Sequence, residues 1–199
     1  YVYPNYYGSA AAQSLASLVG MAGTLLICAP TAVKLSQKFG KKELATAGAI
    51  VGAVSYLLCF FLRPANPFVY VAFAAVATVS MGYFNTVVWA MITDVIDDTE
   101  VRTGVREDGT VYSVYSFARK LGQAISSGLI GGLLTMIGYS EATAFDPAVT
   151  GKIFNLACLA PFAGFVALAL ILMFLYPLNK TRVEQNIATL AARREGKEN

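Results

Sequence analysis

Two stretches of the chain hold most of the residues able to do chemistry. The first reads Tyr112-Ser113-Val114-Tyr115-Ser116-Phe117-Ala118-Arg119-Lys120-Leu121-Gly122-Gln123 and sets two adjacent cations inside an otherwise membrane-length segment. On a 3.6-residue helix, Tyr112, Ser116, Lys120, Gln123 and Ser127 fall near one stripe, with Tyr115 and Arg119 beside it. A cation at that depth costs about 2.5–3.5 kcal/mol on insertion scales, so it normally faces a cavity or a partner. The stripe is therefore expected to line a water-filled chamber, where Lys120 can donate to the hydroxyls of a solute or compensate carboxylates that hold a cation. The competing reading is that Arg119 and Lys120 snorkel to the nearby interface along their long stems. Asn85 and Trp89 lie four residues apart on the preceding helix and so share a face. An aromatic plane next to an amide suits a sugar, whose C–H face stacks while its hydroxyls take hydrogen bonds. The alternative for Trp89 is an interfacial anchor.

The second stretch runs from Asp94 to Gly109 and carries Asp94, Asp97, Asp98 and Glu100 ahead of Arg102 and Arg106. Clustered carboxylates can coordinate a divalent ion, act as acid and base, stand as a solvated loop, or pair with the arginines to latch a gate. The dense cluster of four acids followed by two arginines favours the latch. Beyond the cations, Ser127 with Gly131 and Gly128 with Gly132 place small residues four apart, the spacing that lets a neighbouring helix backbone come close.

These residues sit in a chain built for lipid. Of 199 residues 56% are hydrophobic and only 14% charged, well below the quarter or so typical of soluble domains. The charges concentrate in short segments between five apolar runs, at about 10–33, 44–62, 68–93, 111–139 and 153–178. Each run has the roughly 20 residues that cross a ~30 Å hydrocarbon core as helix. Backbone groups in lipid must be satisfied within the segment, and barrel strands would be shorter and alternating, so the expected fold class is an all-α polytopic membrane bundle. There is no histidine, which removes His-based triads, metal sites and proton relays. Cys28, Cys59 and Cys158 lie in apolar runs without metal or redox spacing and read as packing residues. No cofactor, metal site or nucleic-acid partner is expected, because the basic residues flank the spans.

Those basic residues also set the orientation. Lys34, Lys38, Lys41 and Lys42 fall between the first two runs, Arg102 and Arg106 between the third and fourth, and Lys180, Arg182, Arg193 and Arg194 in the tail. The intervening connections hold only Arg63 and Lys152. The positive-inside rule then places the N-terminus outside and the tail in the cytoplasm of a cell (inner) membrane. Residues 1–9 read as the outer end of a missing or partial helix, 94–110 as a cytoplasmic gating loop, and 179–199 as a cytoplasmic tail. Val183, Ile187 and Leu190 in that tail suggest a short amphipathic helix.

Asp94-Val95-Ile96-Asp97, Glu100, Thr103-Gly104-Val105-Arg106, Val111-Tyr112-Ser113, Phe117 and Arg119-Lys120-Leu121-Gly122 together resemble the glycoside–pentoside–hexuronide:cation symporters, the melibiose permease-like group of the major facilitator superfamily. Lys38-Phe39-Gly40-Lys41-Lys42 is similar to the basic loop which that superfamily places between paired helices. The resemblance covers nearly the whole chain. It implies the C-terminal half of a twelve-helix transporter, helices eight to twelve with the end of the seventh, taking up a sugar or glycoside with a cation by alternating access. It assigns Lys120, Ser116, Tyr115 and Asn85 to a substrate-binding wall, to which their helical positions add Trp89 and Arg119, and it assigns Asp94, Asp97, Glu100 and Arg106 to the cytoplasmic gate. The coupling Na+ or H+ would be held mainly by carboxylates of the N-terminal half, which is the implied partner. Where the family usually has Tyr-Gly before the glutamate this chain has Asp98-Thr99, so the identity of the sugar does not transfer. The other readings are a non-transporting structural membrane subunit and an intramembrane enzyme using Asp94 and Asp97.

Overall fold

The computed structural model describes residues 1–198, and their regular structure is helical throughout; position 199 of the expected tail lies outside the described residues. Helix α1 spans Ala10–Phe39, α2 Lys41–Leu62, α3 Pro67–Thr103, α4 Asp108–Met136, α5 Pro147–Leu175 and α6 Lys180–Glu198. A wide π turn at Val2–Tyr6 precedes them, and single π turns lie within α1 at Thr24–Cys28 and at the end of α5 at Ile171–Leu175. The starts are written locally. The side chains of Ser9, Asn66 and Asp146 each accept a backbone N–H of the first turn, and Pro67 and Pro147 open α3 and α5, where a missing N–H is harmless.

The helices depart from the apolar runs in an informative way. Helix α3 does not stop at Thr93 but continues through the acid-rich stretch to Thr103, about 55 Å in all, well beyond a bilayer core. The segment 94–110, expected as loop, is therefore mostly helix, and only residues 104–107 connect α3 to α4. Gly104 ends α3 at φ 77°, the left-handed geometry that favours glycine at a helix C-terminus. Among the described residues four helices, α1, α2, α3 and α5, are long and apolar enough to cross a membrane. Helix α4, the remaining expected span, has 29 residues but carries Arg119, Lys120, Gln123 and a serine- and glycine-rich second half, and composition keeps it out of that set.

Helix α2 packs between α3 and α5. Its contact face is made of Ala45, Ala49, Gly52 and Ala53, so the backbones approach closely. A Cβ on Gly48 would stand 3.0 Å from the Ser80 carbonyl oxygen, and one on Gly52 would stand 2.6 Å from the Phe165 ring. Short interhelical hydrogen bonds add to this: Ser55 Oγ donates to the Phe73 carbonyl at 2.8 Å and Cys28 Sγ to the Val79 carbonyl at 3.2 Å. All three cysteines are buried and free, as packing residues should be. Two cores close the bundle. Val2, Cys59, Tyr70, Ile153, Phe154 and Cys158 fill one end, with Tyr3, Tyr6 and Tyr7 of the N-terminal segment packed on them. Ala32, Ala45, Val87, Met91 and Leu172 fill the other.

Helix α4 stands apart. It meets the bundle near Tyr112 and Tyr115 at one end and at the buried Leu134 near the other, and every residue from 116 to 132 is exposed. The small residues Gly128, Gly131 and Gly132 have open space where a Cβ would sit, so the close helix approach expected there is not made within this chain. Replacing Gly52 by valine should force the Phe165 ring out of place and destabilise the bundle by about 1–3 kcal/mol. A lowered thermal midpoint in detergent checks this, with Gly151→Ala, in open space, as the unaffected comparison.

Candidate functional site

The polar face of α4 meets α3 at Trp89. The Trp89 ring lies edge-on to Tyr115 at 5.1 Å between centroids and tilted against Tyr112 at 6.3 Å. The Arg119 guanidinium carbon sits 5.7 Å from the centre of the same indole, a cation–π contact, so Arg119 holds onto the aromatic surface of α3. Thr93 and Tyr112 share a hydrogen bond of 3.2 Å between hydroxyls just beyond it. Of the residues expected to form a substrate wall, the fold thus brings Trp89, Tyr115 and Arg119 into contact. Asn85 lies one turn from Trp89 on α3, and Ser116 and Lys120 lie on α4. All three are exposed and have no hydrogen-bond or ion-pair partner among the described residues. The result is an open surface with an aromatic plane, two cations, an amide and hydroxyls, and nothing from this chain covering it.

A second assembly occupies the far end of α3. Its residues separate onto two faces. Val87, Met91, Asp94 and Asp98 recur at helical spacing and all are buried, so two carboxylates continue an otherwise apolar stripe. Lys41 Nζ of α2 meets Asp94 Oδ1 at 2.5 Å. Asp98 Oδ1 accepts from Arg182 Nε and Asn186 Nδ2 of α6, each at 3.0 Å. On the other face Arg106 Nη1 bridges Asp97 and Glu100, each at 2.8 Å, and its Nε reaches Asp108 at 2.9 Å. Bonding to Asp97 first, then to Glu100 and Asp108, pushes the Arg106 guanidinium still higher than its ordinary value, so it stays charged.

The expected gate therefore divides. Asp97, Glu100 and Arg106 do form one cluster, whereas Asp94 belongs to the buried pair with Lys41 and is not part of it. Sequence reasoning passed over Asp98, Lys41, Arg182 and Asn186. The available signal was the four-residue step from Asp94 to Asp98 in phase with Met91, which puts both acids on the inward face. The tail helix also turns differently from expectation. Leu190 and Asn186 face the bundle with Val183 beside them, and Ile187 is 54% exposed, because docking follows the Asp98 bond. Arg193 adds bonds to the carbonyls of Glu100 and Val101 at 3.3 and 3.0 Å; the first also accepts from Gly104 N, and the second is a group that α3 leaves free at its C-terminus. Lys42 Nζ does the same for Tyr176 at 2.7 Å, where α5 ends. Among the described residues no group of three or more His, Cys, Asp or Glu is arranged to hold a metal ion.

The profile of the MFS/sugar transport protein family matches residues 1–180. The chain belongs to that family. It is similar to a candidate sulfoquinovose importer of Escherichia coli (strain K12), 36% identical over 160 residues, covering 80% of this chain and 33% of the relative. A glucuronide carrier protein homolog of the same organism is 32% identical over 167 residues, covering 84% and 36%. An uncharacterized symporter of Bacillus subtilis (strain 168) is 34% identical over 158 residues, covering 79% and 34%. The chain spans about a third of the length of these relatives. No solved structure matches it.

Removing the Asp98 carboxylate by Asp98→Ala should release α6, since Arg182 and Asn186 both lose their acceptor. Tryptic cleavage within the tail should then quicken roughly tenfold or more, while Asp97→Ala leaves it protected. Limited proteolysis followed by mass spectrometry reads the difference.

Proposed function

We propose that this chain is part of a secondary active transporter that takes up a sugar or glycoside together with Na+ or H+. Alternating access would rock this bundle against the N-terminal half of the same protein around a site near the bilayer midplane. One observation carries the reading. Helix α4 leaves Ser116, Lys120 and Gln123 wholly open beside the Trp89–Arg119 stack, an arrangement that lipid would penalise and a wet chamber shared with a partner bundle would use. Family membership and relatives named as a carrier and a symporter support the same conclusion.

The stack also narrows the sugar. Two cations at consecutive positions of α4 make the surface around Trp89 positive and suit an anionic substituent, and the guanidinium's fork of N–H donors matches a carboxylate or sulfonate. The indole face offers the ring its stacking plane. A hexuronide or sulfonated sugar fits this pairing better than a neutral one, and the names of two relatives, a glucuronide carrier homolog and a sulfoquinovose importer candidate, agree in kind. The coupling cation would be bound mainly by residues of the other half, with Lys120 placed to compensate its ligands. No covalent step belongs to this mechanism.

The connections rich in lysine and arginine would face the cytoplasm, making the protein a multi-pass protein of the cell membrane with its tail inside. In that orientation the Arg106 clamp on Asp97 and Glu100 works as half of an inner gate. It holds α3 to the start of α4, the helix that carries the wall, and so couples gate geometry to the site.

The test is uptake by the full-length protein in liposomes, using labelled methyl β-D-glucuronide and an imposed Na+ or H+ gradient. Gradient-dependent accumulation is expected, and Lys120→Ala should abolish it with membrane insertion intact. Uptake at the parent rate in that variant would remove Lys120 from the site. Neutralising the clamp with Asp97→Asn and Arg106→Gln should shift the inward–outward balance, changing the labelling rate of a cysteine placed on the outer surface. An unchanged rate would count against the latch.

A further inference from the structure

At the opposite end of the bundle from the charge cluster, a cleft of about 480 Å³ opens between the N-terminal turn, α1, α2 and α3. Its polar lining comes from Tyr3, Gln13, Ser17, Tyr56, Tyr70 and Thr78, with no charged side chain among the lining residues. The larger groove of about 690 Å³ between the same three helices, by contrast, is lined by valine, leucine, isoleucine and alanine with little else. Polar side chains are thus denser in the smaller cleft than in the larger groove, where Ser80 and Tyr83 are the polar lining.

Tyr70 is the telling residue. It is 4% exposed, yet its hydroxyl has no hydrogen-bond partner among the described residues. That oxygen is not sealed from solvent, and Tyr70 lines the cleft. A tyrosine buried this far ordinarily finds a partner for its hydroxyl, so the group is aimed at something from outside. Its ring cannot swing away, being wedged against Tyr3 at 5.5 Å, Tyr7 at 5.6 Å and Phe154 at 6.0 Å. The hydroxyls of Tyr3 and Tyr56 are likewise unpartnered among the described residues, and so is the amide of the exposed Gln13. Ser17 and Thr78 donate to carbonyls of their own helices at 3.2 and 2.8 Å, which leaves their oxygens free to accept.

We infer that this cleft is a second binding site, for the uncharged hydroxyl face of a sugar. Fixed phenol donors, one amide and two acceptor hydroxyls on a wall of aromatic edges offer mixed polarity without charge. That is what a ring of vicinal hydroxyls needs and an ion does not. The cleft is separate from the Trp89 wall. Thr78, its deepest residue on α3, lies 11 positions before Trp89, about 16 Å along the helix. In the orientation given above it sits at the outer mouth, where a sugar arriving from outside would bind before reaching the cations. The choice of sugar as ligand rests on the transport reading.

The test uses two single-cysteine reporters in the full-length protein: Met21→Cys, which lines the cleft, and Gln123→Cys, one turn from Lys120. Each is labelled by a maleimide with and without methyl β-D-glucuronide, and protection is titrated. Protection at both positions is expected. Tyr70→Phe, which keeps the ring and removes one hydrogen bond, should raise the half-protecting concentration at Met21→Cys by about five- to tenfold and leave Gln123→Cys unmoved. Tyr56→Phe provides the same measurement at a less buried ring, should Tyr70→Phe fail to fold. Protection at Gln123→Cys alone, or a phenylalanine series that changes nothing at Met21→Cys, overturns the second site and leaves the transport reading standing. Protection at neither position overturns both.

Discussion

Two carboxylates buried on the inward face of α3 organise this fold. Asp94 and Asp98 are 5% and 7% exposed, and a buried charge without a partner is strongly destabilising. Each therefore requires a cation or donor from another helix, and those requirements tie the end of the bundle together. Lys41 brings the start of α2 to α3, and Arg182 and Asn186 bring α6. Once α6 is seated, Arg193 reaches the end of α3 and Lys180 donates to the Lys38 carbonyl at 3.0 Å, fastening α1 as well. The pairs need not add net stability over apolar replacements. What they impose is register, because a helix rotated by one residue would leave an acid facing its neighbour unpaired.

Helix α4 obeys the opposite logic. Its polar stripe, its small residues and its two cations are satisfied by little that this chain provides. Its contacts concentrate near Tyr112, Tyr115 and Arg119 at one end and Leu134 at the other, so α4 is positioned near both ends and open between them. Such a helix is costly in lipid and useful against a wet surface. The Arg106 ion pairs lie at the four-residue connection between α3 and α4 and tie Asp97 and Glu100 of α3 to Asp108 at the start of α4.

Much of this was legible from residue order. Helical state followed from apolar length, although the Asp146 cap and Pro147 start α5 six residues ahead of the apolar run at 153. The pairing of Trp89 with the α4 cations was foreseeable only as a shared neighbourhood: Asn85 and Trp89 are in phase with each other, and Tyr115 with Arg119, but nothing local says that the two faces meet. Charge density alone predicts a loop after Thr93, yet α3 runs on to Thr103. A helix that leaves the bilayer has no reason to stop at the headgroups, and Asp94 to Glu100 contains no helix breaker before Gly104. The inward pair of acids was hidden by the same habit, since a run of acids looks uniform until its helical phase is followed.

Length, apolarity and the placement of lysine and arginine are properties of segments, and they determine what each segment must be in a membrane whatever surrounds it. They sufficed for an all-helical bundle, for the polar character of α4 and for the acid-rich stretch as a place of ion pairing. Which acid meets which cation depends on rotation about helix axes and on the order in which helices stack. Neither is encoded within a single segment. That is why the division of the acids between Lys41, Arg182 and Arg106, the seating of the tail on Asp98 and the cleft around Tyr70 emerge only when all the helices are packed against α3.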